Sequence, residues 1–84
     1  IISNKNIENY SLRLYPNPSN GMFSVLSNYH NLDYEIYDLM GKSIKRGKLN
    51  ENEKIINLKE EKPGIYLAVF KSSYTTITKK FTIY

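Results

Sequence analysis

Residues Pro63 to Tyr84 read PGIYLAVFKSSYTTITKKFTIY, and this stretch decides the fold. Pro63 fixes φ and offers no backbone donor, and Gly64 opens backbone conformations closed to other residues, so the pair turns the chain. From Ile65 to Lys71 both alternating faces are apolar: Ile65, Leu67 and Val69 on one, Tyr66, Ala68 and Phe70 on the other. Such a strand is expected at the centre of a sheet, buried on both sides. Ser72 to Thr75 make a turn. Thr76 to Tyr84 then alternates, with Ile77, Phe81 and Ile83 toward a core and Thr78, Lys80 and Thr82 toward water. Lys79 is the exception to that pattern.

The same period of two recurs upstream. Tyr10 to Tyr15 places Leu12 and Leu14 inward, Met22 to Ser27 places Phe23 and Val25 inward, and Leu32 to Asp38 does so with Leu32, Tyr34 and Ile36. Ser43 to Leu49 is weakly apolar, contains Gly47, and carries Lys45, Arg46 and Lys48, the marks of a protected edge strand. Glu53 to Leu58 buries Ile56 and Leu58. Pro16-Asn17-Pro18-Ser19-Asn20-Gly21 separates the first two strands, because no central strand continues through two prolines. Asp38-Leu39-Met40-Gly41-Lys42 reads as a hairpin turn in which Asp38 bonds the backbone ahead of it and Gly41 takes the left-handed position. No window shows apolar residues at helical spacing with caps. Seven short strands punctuated every ~8–12 residues predict an all-β, immunoglobulin-like antiparallel β-sandwich, with Tyr66 placed to tie its strand to the preceding connection. A small, partly open barrel is the other solution.

The chain has 84 residues, enough for one domain. A domain this small buries only roughly 60–65% of its unfolded surface, which leaves no room for a deep cleft. There is no cysteine, so stability rests on apolar burial and strand pairing. The formal net charge is +4, and the basic residues are spread along the chain, with Lys79 and Lys80 the only adjacent lysines, so no clustered footprint for nucleic acid is expected. The longest apolar run, Ile65 to Phe70, is far short of the ~18–20 residues of a transmembrane helix. Ile1 to Asn9 is polar, Asn-rich and aperiodic, and reads as a linker ahead of a domain spanning 10–84. With neither an initiator Met nor an export signal at its start, the chain is expected to be part of a longer protein.

Chemistry-bearing groups do not converge. His30 stands alone in a polar loop, and a metal site needs several ligands. Asn50-Glu51-Asn52-Glu53 lacks the Gly and the later Glu of a calcium loop. No serine sits on a Gly-x-Ser-x-Gly elbow. The eight tyrosines fit cross-strand packing better than a stacking platform. Asn9-Tyr10-Ser11 matches a glycosylation acceptor by three residues only. No metal, cofactor or catalytic residue is expected, and the chain is not expected to be an enzyme.

One ordered set of motifs exceeds this description. Tyr15-Pro16-Asn17-Pro18 is followed at once by Gly21-Met22-Phe23-Ser24-Val25, then by Ile36-Tyr37-Asp38-Leu39-Met40-Gly41-Lys42, Pro63-Gly64-Ile65-Tyr66-Leu67 and Thr78-Lys79-Lys80-Phe81. From Leu14 to Tyr84 the chain resembles the type A C-terminal sorting domains of the type IX (Por) secretion system of Bacteroidetes. Members of that family are seven-stranded immunoglobulin-like sandwiches that follow an N-terminal cargo domain. The resemblance implies an address read in the periplasm by shuttle proteins and an outer-membrane translocon, then removed by a cell-surface sortase within or upstream of Ile1 to Asn9. It places the signal motifs on Pro16, Asn17, Pro18, Gly21, Gly64, Tyr66, Lys79, Lys80 and Phe81. Lys79 and Lys80 are expected to meet an acidic receptor surface, and the Pro16–Gly21 turn the same or a second partner. The competing reading is a binding module, for carbohydrate or protein, that stays on the mature secreted protein.

Overall fold

The computed structural model describes residues 11–51 and 54–84. The linker Ile1 to Asn9, Tyr10 with its acceptor tripeptide, and Asn52-Glu53 lie outside them. Seven strands follow in order: β1 (Leu12–Tyr15), β2 (Met22–Ser27), β3 (Leu32–Asp38), β4 (Ser43–Leu49), β5 (Ile55–Asn57), β6 (Gly64–Lys71) and β7 (Thr76–Ile83). No helix occurs among the described residues. The strands form two antiparallel sheets, β1-β2-β5 and β4-β3-β6-β7.

Alternation places the core where the sequence put it. Phe23 and Val25 of β2, Leu32, Tyr34 and Ile36 of β3, Ile56 of β5, Tyr66, Ala68 and Phe70 of β6, and Phe81 and Ile83 of β7 are all buried. Each fully buried residue of this kind contributes about 1.5–3 kcal/mol of transfer free energy. The sheets meet through aromatic rings: Phe23 lies 4.8 Å from Phe81, centroid to centroid, and Phe81 stacks on Tyr66 at 5.7 Å. The Tyr66 hydroxyl donates to the carbonyl of Lys62 at 2.6 Å, tying β6 to the connection before it. Burial, with help from the Glu61 and Asp38 charges, raises its pKa above the usual phenolic range.

The β3–β4 turn has the expected chemistry. Gly41 N–H donates to the Asp38 carbonyl at 3.1 Å, Asp38 Oδ1 accepts from Met40 and Lys42 N–H, and Gly41 takes φ 88°. β4 is an edge strand, as its charges required. Gly47 opposes Tyr34, and a Cβ there would meet the phenol oxygen at 2.9 Å, so the glycine makes room for a core ring.

One expectation needs correcting. β6 is central, between β3 and β7, but only one of its faces is buried. Ile65 is exposed, and Leu67 and Val69 are half-buried. Its central place comes from hydrogen bonding on both edges, and a two-layer fold covers a sheet on one face only.

Candidate functional site

The strand registers sort the loops to two ends. At one end lie the β1–β2 turn (16–21), the β3–β4 turn, the β5–β6 connection and the close of β7. At the other lie the start of β1 and the β2–β3, β4–β5 and β6–β7 connections.

The β1–β2 turn belongs by sequence to the three-stranded sheet, yet it is sewn to the last strand of the other sheet. Ser19 forms a parallel bridge with Ile83. Its N–H donates to the Thr82 carbonyl at 3.0 Å, and its carbonyl accepts from Tyr84 N–H at 2.9 Å. Asn17 Oδ1 accepts from Thr82 N–H at 3.0 Å. The turn is also braced from within: Gly21 N–H donates to Ser19 Oγ and Met22 N–H to Asn20 Oδ1, both at 3.1 Å. These are the short side-chain turns that Ser and Asn favour. On its other side the Gly21 carbonyl accepts from Leu58 N–H at 2.6 Å. Gly21 has φ 108°, and a Cβ there would lie 2.8 Å from the Leu58 carbonyl oxygen. Only glycine satisfies both conditions.

Gly64, Tyr66 and Phe81 arrive at the same end, while Lys79 and Lys80 lie mid-strand on β7. Gly64 pairs with Ile83 and Tyr66 with Phe81 across β6 and β7. Tyr66, Phe81 and Gly21 are buried, Gly64 and Lys79 half-buried, and Pro16, Asn17, Pro18 and Lys80 exposed. Lys79 and Lys80 lie on opposite faces of β7, as alternation requires. Lys79 opposes the small Ala68 in the inward phase, and Lys80 stands on the outer face opposite Leu67. The motif residues therefore divide into a buried scaffold and an exposed rim.

A family model, described as the secretion system C-terminal sorting domain, matches residues 13–84. The chain belongs to that family. A search of curated proteins finds no match. The sorting domain is accordingly a signal for type IX secretion, attached to an N-terminal cargo, engaged by the secretion machinery, and sending that cargo to the cell surface or beyond. Among the described residues, no helix is long and apolar enough to cross a membrane.

Ser19 is the residue that sequence reasoning passed over. It is the one buried polar residue among the described positions, with 1% exposure, and both of its backbone groups bond to β7. Its role in a local turn was legible from Pro-Ser-Asn-Gly. Its strand-like pairing was not, because the partner lies more than sixty positions away along the chain.

Proposed function

We propose that the sorting domain is a removable address whose readable part is the end where the β1–β2 turn, the start of β6 and the close of β7 come together. One observation carries this reading. Asn17 of the first motif block accepts a hydrogen bond from Thr82 N–H, 65 positions away and next to Phe81 of the terminal block. In this reading Pro16, Asn17, Pro18 and Lys80 face the receptor, Lys79 adds charge at the sheet edge, and Gly21, Gly64, Tyr66 and Phe81 hold the shape. The arrangement supports an immunoglobulin-like sandwich, with a tyrosine bonded to the upstream connection. Its fourth strand, however, joins the sheet of the third, sixth and seventh, whereas constant-type domains place it with the first, second and fifth.

The domain acts as substrate and ligand, not as catalyst. It is read in the periplasm by shuttle proteins and an outer-membrane translocon, and a cell-surface sortase removes it upstream of β1. The test appends residues 1–84 to a fluorescent protein bearing an export signal in a Bacteroidetes host. Surface delivery with loss of the domain is the expected outcome. Retention in the periplasm refutes the address, and a surface product that keeps the domain favours a retained binding module. Lys80→Glu is expected to cut delivery at least tenfold if an acidic receptor reads that face.

A further inference from the structure

The three-stranded sheet turns an apolar outer face to solvent. Of the nine exposed large hydrophobic residues among the described positions, four sit on it: Tyr15 (52% exposed), Met22 (39%), Leu26 (51%) and Ile55 (58%). The register explains why they form one patch. Ser24 of β2 has Tyr15 of β1 and Ile55 of β5 as its two cross-strand partners. Met22 and Leu26 flank it two positions away along β2, on the same face. Ser24 is half-buried and far smaller than its four neighbours, so large apolar side chains ring a small polar one. Single exposed apolar residues are ordinary, but a contiguous group marks a contact surface.

Charge indicates what fits there. The three strands hold one charged residue, Arg13, and no carboxylate. Arg13 is the cross-strand partner of Leu26, at one corner of the patch. At the opposite corner Lys45 Nζ donates to the Asn57 carbonyl at 3.1 Å, and Asn57 is the cross-strand partner of Met22. Glu60 and Glu61 lie beyond Leu58, on the connection to β6. A second copy apposing the same face would bring only cations to these corners. A small side chain ringed by larger apolar ones suits a protein knob rather than a lipid layer. We propose that the face centred on Ser24 docks a protein partner that inserts an aliphatic side chain between Tyr15 and Ile55 and sets carboxylates against Arg13 and Lys45. This surface adjoins the motif end, since Tyr15 precedes Pro16 and Met22 follows Gly21, but it is the outer face of the sheet and not the turn itself, and it stands whether or not that turn is the part a receptor reads.

The test uses the whole chain in its native cell, with the photo-crosslinker p-benzoylphenylalanine in place of Ser24. The expected result is an adduct with one protein, whose linked peptide carries aliphatic residues with Asp or Glu within a few positions. The pair Leu26→Thr and Ile55→Thr should reduce that adduct at least tenfold, as should Arg13→Glu, while Leu26→Met and Ile55→Val retain it. The same probe at Val69, on the outer face of the other sheet, should not give the adduct. An adduct with lipid, with a second copy or with residues 1–10 of the same chain overturns the proposal. So does no adduct at all, or one indifferent to the threonine pair. Cargo delivery by the unaltered chain tests the address, so failure of one leaves the other readable.

Discussion

The two ends of the sandwich are built differently. At the motif end, the β1–β2 turn crosses from one sheet to the other and is held by backbone hydrogen bonds to Thr82, Tyr84 and Leu58. At the far end, the turns brace themselves locally, and contacts between segments rest on exposed side chains, as where Ser11 N–H donates to Asn28 Oδ1 at 3.0 Å. Ser72 Oγ accepts from the Tyr74 and Thr75 N–H groups, and His30 Nδ1 lies 2.9 Å from Glu51 with both side chains well exposed. Tyr74 projects into solvent at 86% exposure. The contrast teaches that this small fold uses backbone hydrogen bonds to fasten one sheet's turn to the other sheet's last strand at the end where its family motifs lie. The far end joins its segments through exposed side chains, and exposed loops tolerate change.

The largest break in this contrast is expected from Phe81→Ala. That ring joins Phe23 of one sheet to Tyr66 of the other. Its loss should cost about 3–5 kcal/mol, against a total of roughly 4–13 kcal/mol for a domain of this length. Urea unfolding should show a midpoint lowered by about a quarter or more, and cargo delivery should fail with it.

Next comes Gly21→Ala, which combines a positive φ with a Cβ 2.8 Å from the Leu58 carbonyl oxygen. A cost of at least about 1–3 kcal/mol is expected by thermal or urea unfolding. A stability equal to the parent would mean that the turn relaxes freely, and the motif end would lose its claim to rigidity.

Asn17→Ala sharpens the comparison at lower amplitude. It removes one hydrogen bond to Thr82 N–H and should cost about 0.5–1.5 kcal/mol. Amide hydrogen exchange should quicken at Thr82 and Tyr84 and stay unchanged at Ile77. Uniform quickening along β7 would show that the side chain does not act as a local clamp. The smallest effect belongs to the far end. His30→Ala, which breaks an exposed pair, should change stability by no more than about 0.5 kcal/mol at pH 6. A larger loss would erase the distinction between the ends.

Much of this was readable before any coordinates. Strand positions, the Asp38–Lys42 turn and the Tyr66 tie depend on residues within a few positions of each other. The outer face of β6 misled, because an apolar run on both phases is consistent with burial on two sides or on one. The motif residues were legible as a set, but not their division into scaffold and rim. Alternation already set Lys79 and Lys80 on opposite faces, but nothing local shows that Gly21 is packed against the Leu58 carbonyl.

The sequence by itself determined the alternation of each strand, the turns between them and the family to which the motifs belong, because side-chain period and turn chemistry are local properties of the chain. Only the tertiary structure decided that β4 joins the larger sheet, that the Pro16–Gly21 turn fastens β7, and that Tyr15, Met22, Leu26 and Ile55 surround Ser24 in one patch. Those relations are hydrogen bonds and registers between distant segments. Backbone groups carry no residue identity, so their choice of partner leaves no periodic trace in the letters.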